Sequence, residues 1–136
     1  MILDTSAIIA ILKDEPEAEV FVRAVEENRP VRLSAANWLE AAVVVDGNHS
    51  PALSRRFDKL LREAEVEIEP VTARHAELAR DAYRAFGRGS GHSAHLNFGD
   101  CFAYALAMDR NETLLFKGND FTHTDVRRLG VKKKTQ

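Results

Sequence analysis

The chain has a single cysteine, Cys101, in 136 residues. That excludes an intrachain disulfide and any multi-cysteine zinc site, so a metal here would be bound through oxygen or histidine. No apolar run approaches the ~20 residues that span a bilayer, so no membrane partner is expected. No excess of one charge is present either: 19 Lys and Arg face 21 Asp and Glu, for a formal net charge of -2. This excludes a polybasic nucleic-acid coat, and a polyanion would have to be met by cations segregated in space. The opening Met1-Ile2-Leu3-Asp4 lacks the basic stretch and cleavage site of a secretory signal, which sets the expectation of a cytoplasmic, reducing setting. Repeats, low-complexity segments and interdomain linkers are lacking too. What remains is an ordinary globular composition, 45% hydrophobic and 29% charged, of a length that one core serves.

Short β-type runs alternate with amphipathic helical stretches. Ile2-Leu3 reads as a strand leading into an apolar helix over 7–12, with Asp4, Thr5 or Ser6 near its N-cap. A helix opens at Pro16-Glu17, carries Val20, Phe21, Ala24 and Val25 on one side, and stops at Asn28-Arg29-Pro30. Val31–Leu33 reads as a strand, Ser34 as the cap of a helix from Ala36 to Val45, and 47–51 as a loop. Leu53, Phe57, Leu60, Leu61 and Ala64 form the stripe of a further helix. Residues 66–71 alternate as a strand with one solvated face, and Thr72 caps a helix through Phe86. A glycine-rich, basic loop over 87–97 precedes a helix from Cys101 to Met108 that is apolar on nearly all sides. Thr113–Phe116 reads as a strand, 117–121 as a turn, and Asp125–Leu129 as a last edge strand. Strands alternating with helices indicate an α/β fold with a mainly parallel sheet. Such sheets collect ligands outside the carboxyl ends of their strands.

Four acids sit where that rule looks. Asp4 follows the first strand and Asp120 the Thr113–Phe116 strand. Asp100 starts an apolar helix, and Glu40 interrupts the apolar run from Trp38 to Val45. Each has an ordinary use: Asp4 and Asp100 as caps, Asp120 in a turn, Glu40 at a helix edge. Together at one sheet edge they would repel one another unless their pKa values rose or a divalent cation balanced them. Mg²⁺ and Mn²⁺ suit an all-oxygen site and can neutralise charge on a phosphodiester transition state. Cys101 reads as a small buried residue rather than a nucleophile, and His92-x-x-His95 has no third zinc ligand beside it.

The chain resembles the PIN-domain family, and within it the VapC-type toxins of bacterial toxin–antitoxin pairs. The resemblance rests on Leu3-Asp4-Thr5-Ser6-Ala7, on Glu40 in its helix, on Asn97-Phe98-Gly99-Asp100-Cys101, and on Leu115-Phe116-Lys117-Gly118-Asn119-Asp120-Phe121, in that order. It spans residue 2 to about residue 129. It implies a PIN-like three-layer α/β/α domain over 1–130, followed by a short basic tail over 131–136 that holds Lys132 to Lys134. The implied activity is a Mg²⁺- or Mn²⁺-dependent endoribonuclease. Asp4 and Asp100 would be the principal metal ligands, Glu40 and Asp120 would complete the acidic site, and Ser6 would orient an acid. Asp125 reads as a surface acid outside the site. RNA would be held by cations around the acids, the candidates being Arg84, Arg88, His92, His95 and Lys117. The implied partners are an RNA substrate, a second copy in a homodimer, and a cognate VapB-like antitoxin, with a higher toxin–antitoxin hetero-oligomer left open. Such an antitoxin would lay a helix in an apolar groove and send a basic side chain toward the acids. Trp38, Leu39 and Val43, or Phe21, Phe57 and Leu61, are candidates for that surface or for the core. The alternative is a catalytically inactive PIN-like module that binds RNA or protein without cutting. A phosphatase fits less well, because Asp4 is followed two residues on by Ser6 rather than by a second Asp.

Overall fold

A computed structural model describes residues 1–129 of the chain; the basic tail expected at 131–136 lies outside the described residues. The elements in order are β1 (Ile2–Leu3), α1 (Thr5–Leu12), α2 (Ala18–Glu27), β2 (Arg32–Ser34), α3 (Ala35–Asp46), α4 (Pro51–Glu63), β3 (Glu67–Glu69), α5 (Ala73–Phe86), α6 (Phe98–Arg110) and β4 (Leu114–Leu115). All strand pairs are parallel, in the order β3-β2-β1-β4. The chain therefore moves outward from β1 through β2 to β3, then returns to add β4 on the other side of β1. That reversal beside β1 is the switch point where a parallel sheet opens a crevice at its carboxyl edge.

Alternation along the short strands separates two apolar layers. Leu3, Leu33 and Leu115 face a cluster built with Ile8, Leu12, Phe21, Ala41 and Phe57 of α1 to α4. Ile2 and Leu114, their neighbours in sequence, face a second cluster with Ala79, Ala82 and the buried length of α6. The result is the expected three-layer α/β/α sandwich with a parallel sheet. Ser50 and Thr72 cap α4 and α5 by accepting the amides of Leu53 and His75. Among the described residues no helix is long and apolar enough to cross a membrane.

Four local expectations are revised. Asp125–Leu129 does not form a strand: only Arg128 bridges to Leu114, because residues 120–126 turn and are anchored by buried Phe121 and Val126. The strand expected over 66–71 shortens to Glu67–Glu69 at the sheet edge, and its Ile68 is half exposed. There Arg32 draws in Glu67 at 3.3 Å and Glu69 at 3.4 Å, so charge rather than apolar burial orients the edge. The last long helix starts three residues earlier than its apolar run suggests. Asn97 accepts the Asp100 amide at 2.9 Å, and the Asp100 carboxylate accepts the Asn97 amide at 3.0 Å, a reciprocal capping box. Ser34 stands at the N-cap position of α3, but its side chain makes no capping hydrogen bond.

Candidate active site

Asp4 ends β1 and caps α1. Its carboxylate accepts the Ser6 amide at 3.0 Å, and it is buried. Burial raises its pKa from 3.8 to about 6, against the lowering effect of the Ser6 hydroxyl and amide, with Glu40 and Asp120 adding repulsion. Ser6 is tied to the neighbouring strand end as well, since its Oγ accepts the Lys117 amide at 2.9 Å. Thus β1 and the segment after β4 are pinned together at the point where Asp4 emerges.

Asp100 comes from the opposite layer, in the first turn of α6. Burial raises its pKa from 3.8 to about 7; the Asn97 amide opposes this, while Asp4, Asp120 and a hydrogen bond shared with Asp120 push it further up. Glu40 reaches the same place from α3. It lies against Gly99, where a Cβ would fall 1.9 Å from Glu40 Oε2, so only glycine permits this approach. Asn37, one turn before Glu40 and fully buried, donates to Gly99 O at 2.9 Å and stands 3.4 Å from Glu40 Oε1. Its Oδ1 is buried without a hydrogen-bond partner. Asp120, exposed after β4, completes the group.

The structure thus brings Asp4, Glu40, Asp100 and Asp120 into one electrostatic cluster with Ser6 as a strut. The donors are oxygen only, two of the acids are held protonated into the near-neutral range by burial and mutual repulsion, and a buried amide oxygen lies beside them. A hard divalent cation fits this set. Among the described residues no three His, Cys, Asp or Glu side chains enclose an ion by themselves.

Residues 1–127 match the PIN domain family. The chain is 59% identical over 128 residues to ribonuclease VapC28 of Mycobacterium tuberculosis, covering 94% of this chain and 96% of that one. It belongs to the PIN-domain family, among the VapC proteins. Ribonuclease VapC42 of the same species is 47% identical over 127 residues, covering 93% and 97% of the two chains. The crystal structure of M. tuberculosis VapC20, described as a sarcin-ricin loop cleaving toxin, superposes with a TM-score of 0.72 at 16% identity over 94% of this chain and 97% of that one. A toxin–antitoxin complex from Klebsiella pneumoniae superposes with a TM-score of 0.68 at 20% identity, over 91% and 92%.

The cations around this PIN domain's acids are placed unevenly. Lys117 pairs with Glu15 and lies 3.5 Å from Glu17, so its charge is already engaged on the α1–α2 side. His92 sits edge-on to Phe86, with ring centroids 4.9 Å apart, and its Nδ1 accepts the Ala94 amide, an internal brace of the 87–97 loop. Arg84, Arg88 and His95 are exposed, and among the described residues none of the three is in an ion pair. Asp125 is exposed and accepts the Tyr104 hydroxyl, which anchors the segment carrying Asp120. Burial and the Asp100 charge push the Cys101 thiol up to about 11, far from a nucleophile's range. Phe21 and Phe57 belong to the core, Leu61 packs against it, and Trp38, Leu39 and Val43 lie exposed on α3. Sequence reading missed Asn37 and the role of Gly99. The available signal was an amide in an apolar helix, one turn before the acid it supports.

Proposed function

We propose that this PIN domain is a Mg²⁺- or Mn²⁺-dependent endoribonuclease toxin that hydrolyses RNA phosphodiester bonds and is restrained by a cognate VapB-like antitoxin. The observation that carries the reading is the convergence of Asp4, Glu40, Asp100 and Asp120 with two of their pKa values lifted toward neutrality. The VapC relatives that the chain matches over nearly its full length support it. Asp4 and Asp100 would hold the ion, which when bound neutralises negative charge growing on the attacked phosphate. Glu40, steadied by Asn37, and Asp120 are the carboxylates on which a proton of the hydrolytic water can rest. Ser6 keeps Asp4 aimed by donating to its carboxylate. Arg84, Arg88 and His95 hold the RNA strand, since acids alone repel it.

The antitoxin docks on the exposed apolar face of α3, at Trp38, Leu39 and Val43, and extends a cationic side chain toward Glu40 and its neighbours. The toxin works as a homodimer. The test compares wild type with Asp100→Asn on total cellular RNA, with Mn²⁺ or Mg²⁺ and with excess EDTA. Wild type cuts at discrete positions; EDTA abolishes the cuts, and the substitution lowers their rate by at least ~100-fold, as loss of a metal ligand should exceed loss of its supports. RNA binding without cleavage by the folded, metal-loaded wild type would replace this reading with a non-cutting RNA-binding module.

A further inference from the structure

A groove of about 470 Å³ runs between α5 and α6, beside the acidic cluster but not part of it. Tyr83, Phe98 and Phe102 wall it, and Arg80 and Arg84 edge it. Phe98 is 78% exposed at the first position of α6, and Tyr83 is 46% exposed. Phe98 meets Phe102 edge to face at 4.9 Å, which leaves a ring face open to a ligand. Arg80 and Arg84 stand one helical turn apart, and among the described residues neither forms an ion pair. Open aromatic faces beside unpaired arginines are the chemistry that holds single-stranded nucleic acid: bases stack and phosphates pair.

The position relative to the acids is informative. Phe98 and Asp100 leave the first turn of α6 on opposite sides, because two residues rotate by about 200°. A strand crossing the N-terminus of α6 would place a base on one flank and a phosphate on the other. Asn97 caps the Asp100 amide, while the Phe98 and Gly99 amides at that end have no intrahelical acceptor and face the crossing.

Resting on the nuclease reading, we infer that the α5–α6 groove seats an unpaired base of the RNA next to the scissile phosphate, with Phe98 as the stacking surface and Arg80 and Arg84 as phosphate partners.

The test uses the full chain with Phe98→Leu, which keeps bulk and apolarity but loses the π-face, and Phe98→Trp, which keeps the face. Phe98 is exposed, so neither substitution threatens folding. Binding of a fluorescent single-stranded RNA and of its duplex form is measured in EDTA, and kcat and KM are measured with Mn²⁺. The expected result is that Phe98→Leu weakens single-strand binding and raises KM by roughly 5- to 150-fold, with kcat little changed. Phe98→Trp restores both, and Arg80→Gln with Arg84→Gln flattens the salt dependence of binding. Unchanged KM and binding in Phe98→Leu would overturn the inference. So would equal wild-type affinity for duplex, or a change of sedimentation mass with RNA binding intact, which would make the face a contact between protein copies. If wild type cuts no RNA yet binds single strands through Phe98, the nuclease reading falls and the base platform stands.

Discussion

Asn37 shows how a single buried side chain can set a site without touching its chemistry. Its amide nitrogen spans Gly99 O and Glu40 Oε1, linking α3 to α6 exactly where the acids of the two helices meet. Replacing it with leucine removes the donor to the Gly99 carbonyl and the amide beside Glu40. A destabilisation of about 0.5–1.5 kcal/mol is expected from chemical denaturation. Cleavage should fall further than that loss alone explains, because Glu40 is no longer steadied. Equal activity in folded Asn37→Leu protein would show that Glu40 holds its place unaided. Asn37 was illegible in the sequence because an amide in an apolar helix can equally face solvent, and only the packing of α3 on α6 decides. The acids were legible for the opposite reason: Asp4 and Asp120 follow strands, and strand ends define the edge where parallel sheets gather ligands.

Between α3 and α6, glycine lets the Glu40 carboxylate lie against the first turn of α6. At Gly99 a Cβ would collide with the Glu40 carboxylate, the far end of a flexible side chain rather than backbone. Gly99→Ala should therefore cost little stability, since Glu40 can swing aside, yet lower RNA cleavage by an order of magnitude or more. Parallel thermal melts and single-turnover rates check this; a large fall in Tm with a proportionate fall in rate would mean that the helix packing itself had failed. Element boundaries were less legible than element existence. The start of α6 was hidden because its first turn is polar and glycine-containing, and the capping box of Asn97 and Asp100, rather than hydrophobic periodicity, begins the helix. The last expected strand failed because β4 offers only a two-residue partner and the turns over 120–126 consume the chain that would have paired.

For the whole molecule, the acidic cluster couples folding to proton binding. Asp4 at about 6 and Asp100 at about 7 both lie above their ordinary value of 3.8, so between these limits the folded protein holds protons that the unfolded chain has released. Stability from these groups is fully present below about pH 4 and is lost as pH rises through 6 and 7, the reverse of a salt-bridged carboxylate. In EDTA, Asp100→Asn should flatten the fall in Tm between pH 5 and pH 8 relative to wild type. Mn²⁺ should raise the wild-type Tm more at pH 8 than at pH 5, because the ion competes with those protons. A Tm gain from Mn²⁺ that is independent of pH would separate metal binding from these two acids. The chain's net charge of -2 offers a polyanion no long-range attraction, so under the proposed function RNA affinity would rest on local cations such as Arg84 and Arg88.

The sequence by itself determined the fold class and the four candidate acids, because both are written locally: hydrophobic period distinguishes strand from helix, chain order places Asp4 and Asp120 after strands and Asp100 at a helix start, and Glu40 stands out as the carboxylate within an apolar helix. Only the tertiary structure decided which side chains meet. Lys117 is drawn to Glu15 and Glu17, His92 is used to brace its own loop, Phe21 and Phe57 enter the core, and Phe98 is left in solvent. These outcomes depend on contacts between residues far apart in the chain. No local pattern encodes such contacts, because they arise when two helical layers close on opposite faces of one parallel sheet.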